Sequence, residues 1–579
     1  MRLRSFQFFV ALALLVAAAP RALAADEKGK APADLSGNWK LLLPLAPTIE
    51  SEILLLGLKQ EGGQLTGELK DALRGLPEKP KVESIERRGD KITIILKGGP
   101  LGEPFHGTLG QDGQIRGTIR INNNLIPGRL EKTDAEKLSQ AQPDQTKFQA
   151  VLQKFLAANA ERDPKAKVQK FRDLLGGKPD VSLAGLVYPS LLQAATAAEL
   201  SEKDVRDLVS SWLDIARPYG EEYVADTQLK ALKTLTGKKP YAALALDLAQ
   251  TAEKDLGAEA TTEQKAAAAS ALAAAAKLAG RADLATSAEA RAEKLEAQLD
   301  EEYHQKVPPF KPETFAGRKE AKADRVVLME LFTGAQCPPC VAADVGFDGL
   351  LQSYKPTELV ALQYHLHIPG PDPLTNEDTI ARQNYYKAEI TGTPTTLFNG
   401  KPQAAGGGPM SVAEGKYQQY RKIIDQALED QKQATIDLNA SRTGDEVRIK
   451  ASAEAKGKEG DTLRLRLALV EEAVRYVGGN GLRFHHHVVR SMPGGPEGKA
   501  LQGGKVTVEE TVKLSDVRKA LEQYLSDFEK DRGGFPNPLP PIQLNDLSVV
   551  AFVQDDADKS ILHAVSVPLK GEKAGEKTP

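Results

Sequence analysis

One stretch constrains this chain more than any other: Val326 to Ala343, V-V-L-M-E-L-F-T-G-A-Q-C-P-P-C-V-A-A. The apolar run Val326 to Phe332 predicts a buried strand, a Gly-containing turn follows, and after Cys337-Pro338-Pro339-Cys340 the pattern becomes helical. The chain has 579 residues and only two cysteines, both within this motif. Whatever thiol or disulfide chemistry the protein performs must happen here.

The rest of the composition narrows the setting. A chain this long exceeds one hydrophobic core, so several domains are expected. Charged residues make up 27% and the formal net charge is -3, so no global basic field exists to hold nucleic acid. Residues 1–24 carry a basic start (Arg2, Arg4), a short apolar run (Phe8 to Ala19) and a small-x-small site at Ala22-Leu23-Ala24. That pattern predicts a cleaved signal peptide and a periplasmic or secreted protein, not an integral membrane one. Oxidising compartments permit disulfides, and an exported chain with a single cysteine pair is not using it as one staple among many.

Residues 31–133 read as an antiparallel β-domain, with Trp39 buried on the first strand and short alternating strands between Gly-rich turns. His106 reads as a strand surface residue. From 134 to 307 the period becomes helical: Phe148, Val151, Leu152 and Phe155 share one face, as do Leu208, Trp212 and Ile215. Ala266 to Leu278 and Leu284 to Tyr303 form a candidate αα-hairpin, which would either bind another protein or space the neighbouring domains. Val307 to Pro312 reads as a stiff proline-rich linker. Residues 314–433 alternate strand and helix as an α/β domain, with strands at Arg325 to Phe332 and Leu359 to Leu366 and a helix capped at Thr375. Residues 434–570 return to β as a sandwich-like domain. There Leu463, Leu465, Leu467 and Leu469 alternate with Arg464, Arg466 and Ala468 as a half-buried strand, and a helix is inserted at Ser515 to Lys530. Residues 571–579 form a charged tail expected to be disordered. The whole is a multidomain chain of α+β and α/β parts.

A cysteine at a helix N-terminus faces the positive end of the helix dipole, which favours thiolate, the nucleophile in disulfide exchange. With Cys337 there, Cys340 lies one turn away and can resolve a mixed disulfide formed at Cys337. The prolines fit the first helical positions but remove two N–H donors, leaving only that of Cys340 near the Cys337 sulfur. Moderate acidification of Cys337 is the expectation.

Strand, Cys-Pro-Pro-Cys, helix, and Thr393-Pro394 opening a later strand together resemble the thioredoxin fold, and Glu330 to Thr333, Tyr364 to His367 and Thr393 to Gly400 resemble a subset of secreted bacterial thioredoxin-like proteins. The resemblance covers about the central fifth of the chain. It implies that Cys337 and Cys340 are catalytic, that Pro394 is a cis-proline facing them, and that Thr393 offers its backbone to the substrate. It implies no cofactor beyond the disulfide itself, with protein thiols or disulfides and a redox partner protein as partners. Two positions depart from the family. Gln336 replaces the usual Trp, and Leu331 takes the place of the buried acid on the strand, with Glu330 on the opposite face.

Two other readings stay open. One is a structural disulfide in a retired thioredoxin fold used as a binding scaffold. The other is copper or zinc handling by Cys337, Cys340 and His365 or His367. His485 and His487 would share a face on a regular strand and could chelate, although a sheet-surface role is the simpler reading. Asp555, Asp556 and Asp558 match a calcium loop only loosely and read as a hairpin turn. The function expected is an exported thiol–disulfide oxidoreductase.

Overall fold

A computed structural model describes residues 33–569, apart from 62–63, 75–78, 99–100, 102–103, 122–123, 140–144, 178, 257–259 and 456–461. The expected signal peptide and C-terminal tail lie outside the described residues. The chain divides into two compact units.

The first is built on eight antiparallel strands, β1 to β8: Gly37–Ala46, Ile49–Glu61, Gln64–Ala72, Lys81–Arg88, Lys91–Lys97, Phe105–Leu109, Ile115–Ile121 and Asn124–Thr133. Their order is β3-β2-β1-β8-β7-β6-β5-β4. The sheet curls like a barrel, bringing its ends together: a Cβ on Gly67 of β3 would lie 2.5 Å from Ile85 Cδ1 of β4. Trp39 fills the interior and donates its indole N–H to the Leu35 carbonyl at 2.8 Å. His106 lies on the outside.

The second unit begins with eight helices, α1 to α8: Gln145–Ala160, Pro164–Leu175, Val181–Ala194, Glu202–Ala216, Glu221–Leu235, Ala242–Lys254, Thr262–Leu278 and Ala282–Lys306. Helices α7 and α8 are the expected αα-hairpin. Capping boxes at Ser201 and Thr261 start α4 and α7. Trp212 is core, stacked on Tyr188 with ring centroids 5.6 Å apart.

The expected linker does not hang free. Phe310 stacks on Tyr417 at 4.8 Å, and the Glu313 N–H donates to the Tyr417 hydroxyl at 2.8 Å.

Twelve strands follow: β9 Val327–Thr333, β10 Leu359–His365, β11 Thr395–Phe398, β12 Lys401–Ala404, β13 Thr435–Thr443, β14 Glu446–Glu454, β15 Leu463–Arg475, β16 Phe484–Ser491, β17 Lys499–Ala500, β18 Lys505–Lys513, β19 Leu547–Asp555 and β20 Ile561–Leu569. Four helices lie among them: α9 Val341–Ser353, α10 Glu377–Tyr385, α11 Ala413–Ala427 and α12 Leu514–Arg532.

The segments expected as separate domains on either side of 433/434 share one sheet. Its nine strands run β12-β11-β9-β10-β16-β15-β19-β20, with β17 beside β15. The seam is the parallel pairing of β10 with β16 at Gln363 and Val488. The smaller sheet β13-β14-β18 packs across the far half of the large one, burying Val447, Ile449, Leu465, Leu467 and Val549 between them.

This arrangement corrects the half-buried reading of β15. The strand is interior to the sheet, so its leucines face one core while Ala468 and Val470 face another. Arg466, expected at the surface, is fully buried, with Nε donating to the Pro496 carbonyl at 2.9 Å and a 2.9 Å ion pair to Asp556. Helix α10 is capped by Asn376 rather than Thr375. The Asn376 side chain accepts from the Thr379 N–H at 3.1 Å and also donates to the Val489 carbonyl, tying α10 to β16. Among the described residues no helix is long and apolar enough to cross a membrane.

Candidate functional site

Strand β9 delivers the chain to the cysteines through Gly334-Ala335-Gln336. Asp372, in the loop after β10, accepts the Ala335 N–H at 2.6 Å and holds this turn in place. Cys337 and Cys340 are joined by a disulfide, with Cα atoms 5.3 Å apart. Pro338 to Cys340 form a single 3₁₀ turn, and Cys340, not Cys337, occupies the N-cap position of α9. Cys337 therefore stands one turn before the helix, farther from the positive end of its dipole than expected. The Cys340 N–H, the one donor spared by the prolines, bonds the Cys337 carbonyl at 3.0 Å.

The Thr393–Pro394 peptide is cis. Cys337 Sγ lies 3.4 Å from Thr393 Oγ1 and 3.7 Å from the Thr393 carbonyl oxygen. The Thr393 hydroxyl also donates to the Ile368 carbonyl at 3.1 Å.

Both cysteines are buried, Cys337 at 1% exposure and Cys340 at 0%. Two glycine-rich segments cover them. The first, Ala405 to Pro409, crosses the 3₁₀ turn: the Gly408 N–H donates to the Pro339 carbonyl at 2.6 Å and the Gly408 carbonyl accepts the Ala342 N–H at 2.9 Å. The second, Val477 to Gly481, is the tip of the β15–β16 hairpin. Its Asn480 N–H donates to the Ala335 carbonyl at 3.0 Å, and its Gly479 N–H donates to Gln336 Oε1 at 2.9 Å. Gln336 Nε2 donates to the Tyr476 hydroxyl at 3.2 Å, so the residue just before Cys337 fastens this tip. The hairpin is clamped in turn to α8, where Arg475 and Arg483 both pair with Glu296 and Asp300.

Glu330 and Leu331 lie as expected on opposite faces of β9. Leu331 faces α9 and α11, whereas Glu330 is buried against α10 and pairs with Arg382 at 2.8 Å. A second buried acid close to the cysteine turn in sequence comes from α9. Asp344 is 2% exposed and sits four residues after Cys340, so the two share one helix face. It accepts the Thr333 hydroxyl at 2.9 Å and Gln363 Nε2 at 3.3 Å. Burial pushes its carboxyl well above the ordinary range, the Thr333 hydrogen bond opposes this, and Asp348 and Asp372 add to the rise. Asp372 goes the other way. Burial alone would raise it, but His365 and the N–H groups of Leu374 and Ala335 hold it below the usual value. Asp344 was legible in principle, as an aspartate one turn after Cys340 in an otherwise apolar helix start.

The histidines are committed elsewhere. His365 Nδ1 bonds Asp372 at 2.8 Å, and its ring meets that of His485 edge to face. His367 bonds the Tyr524 hydroxyl and the Asp372 N–H, and stacks on Phe528. His485 turns to the Tyr476 carbonyl, while His487, at a φ of 52°, turns to the Ala361 carbonyl and Glu472. The two do not form a chelating pair. Asp556 accepts from the Tyr385 hydroxyl at 2.7 Å and pairs with Arg466 in the hairpin turn. Among the described residues no three His, Cys, Asp or Glu side chains converge as a metal site.

Residues 328–518 match a family model described as "Protein of unknown function (DUF1223)". The matched stretch starts in β9 and ends in α12, so it includes the cysteine turn, Thr393-Pro394 and both covering segments. No curated protein matches the chain. Among solved structures, HBP35 of Porphyromonas gingivalis is similar at 18% identity and a TM-score of 0.30, over 44% of this chain and 79% of that one.

Proposed function

We propose that this chain is an exported thiol–disulfide oxidoreductase that exchanges disulfides with protein substrates through Cys337 and Cys340. The observation that carries the reading is the contact of Cys337 Sγ with the carbonyl and hydroxyl of Thr393, 3.7 and 3.4 Å away. A substrate strand paired with the Thr393 backbone would bring its own sulfur alongside Cys337. The order β12-β11-β9-β10, with β9 and β10 parallel and α9 leaving β9 through the cysteine turn, supports a thioredoxin-like reading of residues 314–433. The leader-like residues 1–24 support action outside the cytoplasm. Cys337 attacks or is attacked, and Cys340 resolves. Cys340→Ala is expected to accumulate mixed disulfides at Cys337 that a reductant releases, and Cys337→Ser to abolish exchange. Exchange surviving in Cys337→Ser would sink the reading.

Asp344 takes the role of proton acceptor for the Cys340 thiol in this scheme, supplied from the helix rather than the strand. Asp344→Asn is expected to slow resolution by Cys340 about 10²-fold, read as the decay of the mixed disulfide. The same substitution has a stability signature. The folded-state pKa of Asp344 lies above its unfolded value of about 3.9. Its contribution is complete below that pH and is lost as pH rises toward the folded value. The Asn variant should therefore gain stability relative to wild type as pH rises, and a pH-independent difference would count against a raised carboxyl.

The burial of both cysteines favours a second reading, a structural disulfide in a binding module. A very low reduction potential with no trapped partner would select it.

A further inference from the structure

Asp344 has no route to solvent of its own, and a proton it accepts has to leave. We infer that Asp348 and His486 form the exit: Asp344, Asp348 and His486 make a proton path from the buried cysteine pair to the protein surface. This rests on the exchange reading above and adds positioning residues to it.

The geometry is a stripe along α9. Cys340, Asp344 and Asp348 follow one another at four-residue spacing, one turn apart on one face of the helix. Asp348 is 8% exposed and bonds His486 Nδ1 at 2.8 Å. The His486 side chain, on β16, is 26% exposed, so the stripe ends where solvent begins. The groups facing Asp344 are Thr333 on β9, Gln363 on β10, Tyr303 on α8, Tyr420 on α11, Asp372 in the loop after β10, and Asp348. Those facing His486 are Asp348, Glu472 on β15 and His485. Burial lowers the His486 pKa, and the Asp348 carboxylate more than reverses this, leaving it above its ordinary value. Among the described residues no cation faces Asp344, so nothing there holds it as a carboxylate once it has taken up a proton. It must pass the proton on before it can accept another.

The resolving step then balances as follows. The Cys340 thiol gives its proton to the Asp344 carboxylate. The Cys340 thiolate attacks Cys337 Sγ, the bond from Cys337 to the substrate sulfur breaks, and the electron pair leaves on that sulfur, which takes a proton from solvent. Protonated Asp344 passes its proton to Asp348, His486 accepts it, and His486 releases it to water.

The full-length reduced protein mixed with 5,5′-dithiobis(2-nitrobenzoate) tests this. Attack by Cys337 releases one coloured thiolate, and resolution by Cys340 releases the second. His486→Gln is expected to leave the first phase unchanged, slow the second about tenfold at neutral pH, and flatten its pH dependence. Added imidazole should restore the rate, a rescue that a merely structural role would not give. Asp348→Asn, which breaks the path inside the protein, should show the same slow phase without rescue. A second phase unchanged in both variants, or slowed in His486→Gln with no response to imidazole, would overturn the path. A wild-type protein with no second phase would overturn the exchange reading instead.

Discussion

Gly407→Ala is expected to let a small phosphine reduce the Cys337–Cys340 disulfide about 5- to 150-fold faster. The closed arrangement leaves no room for a methyl group. A Cβ at Gly407 would lie 1.9 Å from the Pro339 carbonyl oxygen and 2.6 Å from Pro394 Cγ, and both neighbours belong to the site itself. The covering segment has to lift, and the hydrogen bonds from Gly408 to Pro339 and from Ala342 to Gly408 lengthen or break. Overpacking of this kind costs about 1–3 kcal/mol. At about 1.4 kcal/mol per tenfold, that raises the population of the uncovered state by about 5- to 150-fold, and with it the rate of attack on a sulfur now 1% exposed. Gly415→Ala in α11, where a Cβ meets nothing within 4 Å, is the control and should leave the rate at wild type. If Gly407→Ala is reduced no faster than this control, the segment does not limit access.

Glu330→Ala is expected to produce the largest loss of stability, about 3–5 kcal/mol. Glu330 and Arg382 are 0% and 1% exposed and pair at 2.8 Å, with the Tyr386 hydroxyl donating to the second carboxylate oxygen at 2.8 Å. The guanidinium lies over the rings of Tyr385, Tyr386 and Phe552 at 4.9, 4.7 and 5.1 Å. Removing the carboxylate strands a desolvated cation among aromatic faces, a cost that cation–π attraction offsets only in part. The double variant Glu330→Leu, Arg382→Met removes both charges and should recover most of the loss. Hydrogen exchange across β9 and α10 is the right probe, because Trp39 and Trp212, the two tryptophans, sit in the N-terminal sheet and the helical region. A double variant no more stable than Glu330→Ala would mean that side-chain volume, not the unpaired charge, sets the cost.

The cysteine turn was readable because its signals are local. An apolar run, a Gly turn, two prolines between cysteines and a change of period all fall within a few residues; β9 forms where those signals put it, and α9 starts three residues later, with Cys340 rather than Cys337 at its N-cap. The helices α7 and α8 were legible for the same reason. What escaped depends on partners far along the chain. Arg466 looks solvent-facing by alternation, and what buries it is β19 beside it, the Pro496 turn and the ring of Tyr385 on α10. The parallel seam between β10 and β16 is invisible to periodicity, since a doubly covered strand and a half-buried one differ by what lies beside them. The covering roles of Gly407 and Gly478 were likewise hidden: a run of glycines reads as a turn, whereas here the missing side chains admit a second backbone. Asp344 shows an intermediate case, its spacing from Cys340 readable but its burial set by Thr333 and Gln363 from two strands.

The hairpin tip also bears on how the protein is made. Gly479, which bonds Gln336, lies 143 residues beyond it in the chain. Synthesis proceeds from the N-terminus, so the cysteine pair leaves the ribosome long before the hairpin that covers it. During that interval β10 has an open edge and the two thiols are accessible to any oxidant present. The two sulfurs are thus most accessible at birth, and the arrival of β15 and β16 ends that period by closing the sheet and covering the cysteine turn together.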